Sequence, residues 1–152
     1  MLSVAANAQK VFIVVYADSY DDFVNIRSEP SMNGRILTEL YAPDHGLGSG
    51  VLLERGQYWS KVQVGNVVGW AYNKYLGTQS WYKHNGKPKL IANKDKTPIY
   101  GEDFSGQGRY PVFAKVDKGT IIADEYEEWG HYYVLMTGHD TLMVKKTDVI
   151  IR

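Results

Sequence analysis

Residues 58–72 read YWSKVQVGNVVGWAY. The runs on either side of Gly65-Asn66 are rich in β-branched and aromatic residues, which favour strands, and the Gly-Asn pair favours a tight turn. Successive side chains of a strand point to opposite faces, so Val62 and Val64 in a core place Trp59 on the outer face. The segment therefore predicts an antiparallel hairpin that carries an aromatic side chain outward.

Strand-like runs also occupy the rest of the chain, and they stop at groups of glycine, proline, asparagine or aspartate. No segment shows the periodicity of an amphipathic helix of two or more turns, so the predicted fold class is all-β. In the run 35–41, Ile36, Leu40 and partly Thr38 are predicted to share one face. The predicted strands of the first half are 11–16, 23–27, 35–41, 51–54, 58–64 and 67–72, with a single 3₁₀ turn at 73–76.

The pattern of the first half returns, with more drift, about 73 residues later. Residues 97–100 match the position of 25–27, and residues 131–135 match that of 58–62. A period of this length is typical of tandem domains rather than of a solenoid. Trp81 and Tyr82 lie in the join, where we expect an interdomain wedge that lets the second domain support the first. The predicted segments are a signal-peptide-like stretch at 1–9, a first domain at 10–77, a linker at 78–90 and a second domain at 91–152.

Several short motifs of the first half occur in a recognisable order. They are Val24-Asn25-Ile26-Arg27-Ser28-Glu29-Pro30, then Trp59-Ser60-Lys61-Val62, then Gly69-Trp70-Ala71, then Tyr75-Leu76. This order resembles the bacterial SH3-like domain family over about residues 10–77, with the second half as a degenerate copy. The resemblance implies two small SH3-like antiparallel β-barrels in tandem. It also implies a role in binding or positioning near the cell wall, often with peptide or peptidoglycan ligands.

Composition excludes several functional classes. The chain has 17 basic and 17 acidic residues and no cysteine. The balanced charge, without a basic face in either half, predicts that the protein does not bind nucleic acid. The absence of cysteine removes thiol nucleophiles, thiolate metal sites and disulfides. No apolar run approaches the roughly 20 residues that a membrane-spanning helix needs.

The inventory of reactive side chains predicts no enzyme, no cofactor and no metal. No G-x-S-x-G motif is present, and a serine triad needs Ser, His and Asp held together. His131 and His139 could approach each other across a turn, but a catalytic zinc usually has three protein ligands. A metal-dependent hydrolase built on this pair therefore remains a remote alternative to a hairpin with a polar tip.

The aromatic residues carry the clearest functional signal, since 12 tyrosines and four tryptophans exceed what two small cores require. An outward Trp59 either lines a groove for peptide or glycan, or packs against the other domain or against residues 80–82. Tyr16, Tyr20 and Tyr41 are candidates for the opposite wall of such a groove. Trp70, which shares a strand face with Val68 and Tyr72, is predicted at the core or its rim. The predicted ligand-binding residues are Trp59, Tyr58, Tyr72, Tyr41, Trp70 and His45.

Ala6-Asn7-Ala8 before Gln9 has the form of a signal-peptidase site, although the basic and apolar segments that should precede it are missing. We therefore expect export to a bacterial periplasm or cell surface, with cleavage after Ala8. The predicted function is a non-catalytic binding or scaffolding module for peptide or peptidoglycan fragments. The alternative is a structural module that binds another envelope protein and no small ligand. The sequence leaves the ligand, the oligomeric state and the pathway open.

Overall fold

The structure is a computed structural model that describes residues 10–43, 49–103, 105–136 and 141–152. It is an all-β protein, as predicted, with three antiparallel sheets. Two short 3₁₀ turns, Asn73–Tyr75 and Lys146–Asp148, precede β7 and β15. The strands are β1 (Val14–Ala17), β2 (Phe23–Arg27), β3 (Ile36–Tyr41), β4 (Gly50–Glu54), β5 (Trp59–Val64), β6 (Val67–Tyr72), β7 (Leu76–Gln79), β8 (Leu90–Ala92), β9 (Thr97–Tyr100), β10 (Val112–Val116), β11 (Ile121–Ala123), β12 (Glu127–Trp129), β13 (Tyr132–Met136), β14 (Thr141–Lys145) and β15 (Val149–Ile151).

The chain divides into two compact units. The first unit is residues 13–79 and contains β1 to β7, whereas the second unit combines residues 10–12 with 80–152 and contains β8 to β15. The short leading segment joins the second unit because Phe12 donates its backbone N–H to the carbonyl of Ile121 at 2.9 Å. The predicted domain bounds of 10–77 and 91–152, with a linker at 78–90, stay a prediction.

The first unit is one seven-stranded sheet in the order β3-β2-β6-β5-β4-β1-β7. Alternation along β5 buries Ser60 and Val62 and turns Trp59 outward, as the sequence predicted. The inner face gathers a core whose burial from water is the main stabilising term. This core consists of Val15, Ala17, Val24, Ile26, Leu40, Val62 and Ala71, with Leu52, Val64 and Leu76 packed against it.

The predicted common face for Ile36, Thr38 and Leu40 is wrong at its first residue. Leu40 is fully buried, but Ile36 is 52% exposed. The cause is a register shift between β2 and β3, where Ile26 pairs with Thr38 and the next residue pairs with Ile36. The extra residue, Leu37, opposes no partner, so the alternation reverses at that point. The Leu37 side chain reaches toward Gly69 instead.

The second unit repeats the strand order of the first, with one strand divided. Its sheets are β10-β9-β14-β13-β12 and β11-β8-β15, which match the first unit if β11 and β12 together replace β4. The register repeats as well. Trp59 pairs with Tyr72 in the first unit, and Tyr132 pairs with Lys145 in the second, with each partner 73 positions further along the chain. The register shift between β2 and β3 also has a counterpart in the second unit, between β9 and β10.

Trp81 is buried in the second unit, with 4% of its surface exposed. Its ring stacks on Phe12 at a centroid distance of 6.0 Å, and its indole N–H donates to the carbonyl of Met136 at 3.1 Å. Both partners belong to the same unit as Trp81, so these contacts make the ring part of that unit's core. Val134, which aligns with Lys61 of the first repeat, is buried there too.

The described parts of the three sheets do not close into barrels. The prediction of two SH3-like barrels is therefore not confirmed, although the all-β class is. In the first unit, β3 and β7 are sheet edges, each paired on one side only. In the second unit, the division between β11 and β12 leaves two separate sheets. Within the described ranges, no helix is long and apolar enough to cross a membrane.

Candidate functional site

A cleft of about 290 Å³ lies on the outer face of the first unit, between the β1–β2 loop and the β5–β6 hairpin. The alternation that buries Val62 and Ala71 sends Trp59 and Tyr72 to this face. The described residues that line the cleft are Ser19, Tyr20, Asp21, Phe23, Val24, Asn25, Arg27, Met32, Trp59, Tyr72 and Tyr75.

Three aromatic rings form a continuous series along the cleft. Trp59 and Tyr72 face each other across the hairpin, with ring centroids 5.2 Å apart, and Tyr72 meets Tyr75 edge to face at 5.7 Å. The Lys74 ammonium lies 5.7 Å from the centre of the Tyr75 ring. The first pair is tilted, and the edge-on geometry of the second stabilises aromatic pairs beyond their burial. The rings are therefore held in place before any ligand arrives.

A partly buried hydrogen-bond network fixes the 3₁₀ turn that carries Tyr75. The Ser60 hydroxyl donates to the side-chain oxygen of Asn73 at 2.6 Å, and the Asn73 amide donates to the carbonyl of Gly56 at 2.8 Å. The backbone N–H of Asn73 donates to the carbonyl of Tyr58, also at 2.8 Å. Asn73 thus ties the turn to both ends of the β4–β5 connection and orients the rings on either side of it.

The other wall of the cleft is the loop between β1 and β2. Tyr20 at its tip is fully exposed, and Asp21 next to it also lines the cleft. The loop is tied down because the Ser19 hydroxyl donates to the carbonyl of Phe23 at 2.7 Å, and the backbone N–H of Asp18 donates to the carbonyl of Tyr75 at 2.9 Å. The second bond links this wall directly to the aromatic series.

Arg27 places a positive charge in the cleft lining. Its Nη1 donates to the carbonyls of Met32 and Gly34, each at 3.0 Å, so the guanidinium is anchored by the β2–β3 turn. A guanidinium has five N–H donors, and those not used by the turn remain for a ligand. The lining therefore offers aromatic faces, hydroxyls, one carboxylate and one guanidinium. This set suits non-covalent recognition of a short polar chain with apolar parts.

The structure separates the predicted binding residues. Trp59 and Tyr72 line the cleft, whereas Tyr58, Trp70 and Tyr41 lie outside its lining. Tyr58 is 61% exposed, and Trp70 is half-buried on the outer face opposite the buried Gly69 and Ala71. His45 falls outside the described residues.

Tyr41 and Tyr16, two candidates for the opposite wall, have other contacts. The Tyr41 hydroxyl donates to Glu39, and this hydrogen bond, with the carboxylate's charge, raises the pKa of Tyr41. The Tyr16 ring lies against Gly77, where a Cβ would collide with it. Of the three tyrosines proposed for that wall, Tyr20 alone is part of the cleft lining.

Sequence reasoning missed Tyr75 and Arg27 as cleft residues. The position of Tyr75 beside Tyr72 could have been predicted, because a 3₁₀ turn has three residues per turn and places residues 72 and 75 on one side. Arg27 was assigned to a family motif and not to a site. Its position depends on the neighbouring strand β6, where it pairs with Trp70, and that pairing joins residues far apart in the sequence.

The metal hypothesis gains no support from the described residues, among which no three histidine, aspartate or glutamate side chains are placed to hold an ion. His131 lies in the turn before β13, and His139 lies outside the described ranges. No protein-family model matches the chain, and no curated protein matches it either. The resemblance to the bacterial SH3-like family accordingly stays a prediction.

Proposed function

We propose that the protein is a non-catalytic binding module that recognises peptide or peptidoglycan fragments in the cleft of the first unit. The observation that carries this proposal is the aromatic series of Trp59, Tyr72 and Tyr75, which lines one cleft together with the exposed Tyr20. Concave sites with aromatic walls and a few placed polar groups are the usual form of small-ligand sites. Asp21 and Arg27 add one charge of each sign, which fits a short peptide or peptide stem bearing an amine and a carboxylate.

We also propose that each unit is an SH3-like domain, the second of them divergent. The repeated strand order, the recurrent bulge between the second and third strands and the 3₁₀ turn before the last strand of each unit support a duplicated domain. The sequence motifs at 24–30, 59–62 and 69–71 support the choice of family. The predicted signal-peptidase site after Ala8 supports export to the periplasm or cell surface, and it lies outside the described residues.

The test is an NMR titration of the whole chain with peptide stems released from bacterial peptidoglycan. The fragments should shift the indole signal of Trp59. Trp59→Ala should weaken binding by about 2 kcal/mol or more, roughly 30-fold in Kd, as expected for a central aromatic contact. Tyr58→Ala is the matched control, because Tyr58 is the adjacent aromatic residue and lies outside the cleft lining. It should leave the affinity unchanged.

Two results would contradict the proposal. One is that no cell-wall fragment shifts the Trp59 signal, in which case a structural role with an envelope protein becomes the better hypothesis. The other is that fragments bind equally well to both variants, which would place the site elsewhere. Unchanged unfolding curves for both variants would show that any loss of binding comes from the cleft.

A further inference from the structure

The second unit carries its own cluster of aromatic rings on one face of its five-stranded sheet. The cluster consists of Tyr100, Tyr110, Trp129 and Tyr132. Trp129 is 56% exposed, and the three tyrosines are partly buried. None of these rings lines the cleft of the first unit, so the cluster is a separate feature with its own chemistry.

Strand pairing and a folded loop bring the rings together. Trp129 in β12 lies directly opposite Tyr132 in β13, which places both side chains on the same face. Tyr110 comes from the loop between β9 and β10, whose ends are closed by a hydrogen bond from the backbone N–H of Gly101 to the carbonyl of Pro111 at 2.8 Å. In the same loop, Asp103 accepts hydrogen bonds from the backbone N–H groups of Ser105 and Arg109 at 3.0 Å each. The loop is thus shaped by its own contacts.

The rings stand nearly at right angles to one another. Tyr110 meets Trp129 at a centroid distance of 6.3 Å and an interplanar angle of 74°, and it meets Tyr132 at 5.7 Å and 69°. Tyr100 meets Tyr132 at 6.3 Å and 85°. The rings therefore meet at steep angles around Tyr110 rather than stacking in parallel. Groups of aromatic side chains are the usual recognition elements for quaternary ammonium ligands.

One ring of the cluster is already next to a cation of this chain. The Lys145 ammonium lies 5.5 Å from the centre of the Tyr100 ring. Lys145 is on β14, which neighbours β13 on the side away from β12, so this ammonium lies on the opposite side of Tyr132 from Trp129. The corner formed by Tyr110, Trp129 and Tyr132 has no such ammonium among the cation–ring contacts of the described residues.

The charges on β12 and just before it favour a positive ligand at that corner. Residues 124–129 contain four carboxylates and no lysine or arginine. Asp124 is bound by backbone N–H groups, and Glu128 pairs with Lys146 at 3.1 Å. Glu127 is exposed and lies two residues before Trp129, hence on the same face of the strand. Its charge is available to a ligand against the rings.

We propose that the corner of Tyr110, Trp129 and Tyr132 binds a quaternary ammonium group, with Glu127 as the neighbouring negative charge. A trimethylammonium group is weakly hydrated and broad enough to touch three rings at once, and the attraction between cation and ring face adds to the burial of its methyl groups. The proposal does not depend on the function proposed for the first unit, because it concerns other residues and another ligand.

The test uses the whole chain with choline chloride as the probe and 3,3-dimethylbutan-1-ol as its uncharged isostere. Choline should shift the indole N–H signal of Trp129 saturably, with the signal assigned by its loss in Trp129→Phe. The isostere should bind about tenfold more weakly, because it has the same shape without the charge. Trp129→Ala should remove the choline site, and Glu127→Gln should weaken it severalfold. Tyr58→Ala in the first unit removes an exposed aromatic residue outside the cleft lining; it is the control and should leave choline binding unchanged.

Four outcomes would overturn the proposal. The first is the absence of a saturable shift up to about 100 mM choline, a limit well above the millimolar affinity range of weak ligands. The second is that the isostere binds as tightly as choline, which would show that the corner attracts its ligand by apolar contact alone. The third is choline binding that survives in Trp129→Ala. A parallel titration with N-acetylglucosamine that gives tighter, Trp129-dependent binding would also overturn it, by making the corner a glycan site.

Discussion

Asp124 is a buried residue whose negative charge is stabilised by backbone hydrogen bonds. The side chain is 3% exposed, and its carboxylate accepts backbone N–H groups from Lys83 at 2.8 Å and Asn85 at 3.2 Å. Burial alone raises the pKa of Asp124, but the hydrogen bonds from backbone N–H groups outweigh it, so the pKa lies below the ordinary value. The ionised carboxylate thereby anchors residues 83–85 to the end of β11.

This lowered pKa predicts an acid-sensitive contribution to stability. The contribution is complete above the unfolded-state pKa of about 3.9 and is lost as the pH falls through the lower folded-state value, because protonation is then costlier in the folded protein. Asp124→Asn should lose about 2 kcal/mol at neutral pH and should show a flatter decline in acid. Urea denaturation at several pH values measures both effects. Glu125→Gln, an exposed neighbour, is the control, and equal curves for the two variants would contradict the role of Asp124.

Residue-level alternation predicted part of the site and failed where the chain departs from regular pairing. It placed Trp59 outward correctly, because β5 is regular from Trp59 to Val64. It failed for Ile36, because a bulge adds Leu37 to the strand and no local pattern marks that insertion. The orientation of a side chain is thus predictable within a strand and uncertain across its irregularities.

At the scale of elements, the β5–β6 hairpin and its 3₁₀ turn form the unit that presents the aromatic series. The turn makes few hydrophobic contacts of its own, since none of its three residues is buried. Its position depends on the bonds of Asn73 to Ser60, Gly56 and Tyr58. Loss of the Asn73 side chain would leave the hydroxyl of Ser60, a residue only 1% exposed, without its acceptor.

Asn73→Ala should therefore destabilise the first unit by about 2 kcal/mol, the usual cost of an unpaired buried polar group. It should also loosen the contact between Tyr72 and Tyr75, visible as averaging of the two ring signals by NMR. Asn66→Ala is the matched control, because Asn66 is exposed in the turn of the same hairpin. If the two variants unfold at the same denaturant concentration, the network does not stabilise the turn.

Elements close in sequence were predictable, and their distant pairings were not. The hairpin at 59–72 and the 3₁₀ turn after it follow from local residues. The aromatic cluster of the second unit was missed because Tyr110 and Trp129 are separated by 18 intervening residues. They are brought together by the loop between β9 and β10 and by the pairing of β12 with β13. The division of one strand into β11 and β12 likewise has no counterpart in the first repeat from which to predict it.

For the whole molecule, repetition of strand order does not mean repetition of the binding chemistry. The first unit presents Trp59 opposite Tyr72, whereas the second presents Tyr132 opposite Lys145 at the matching positions. In the second unit, Trp129 lies on β12, one of the two strands that replace β4, and it pairs with Tyr132. Under the two proposals above, two units with one architecture would hold different ligands, because the outward-facing positions of a sheet vary without cost to the core.

The second unit is built from two separate segments, residues 10–12 and residues 80–152. We therefore expect Phe12 to stabilise residues 80–152 rather than the first unit. Phe12 is 2% exposed, stacks on Trp81 and meets Phe113 edge to face at 6.4 Å, all within the second unit. Phe12→Ala should cost about 3–5 kcal/mol through loss of burial and the cavity left behind. Amide hydrogen exchange should accelerate chiefly in β8, β11 and β13, and less in β2, β5 and β6.

Val15→Ala, in the core of the first unit, is the matched control and should give the reverse distribution. If Phe12→Ala instead accelerated exchange mainly within residues 13–79, the segment before β1 would belong to the first unit, and the grouping of residues 10–12 with 80–152 would be wrong.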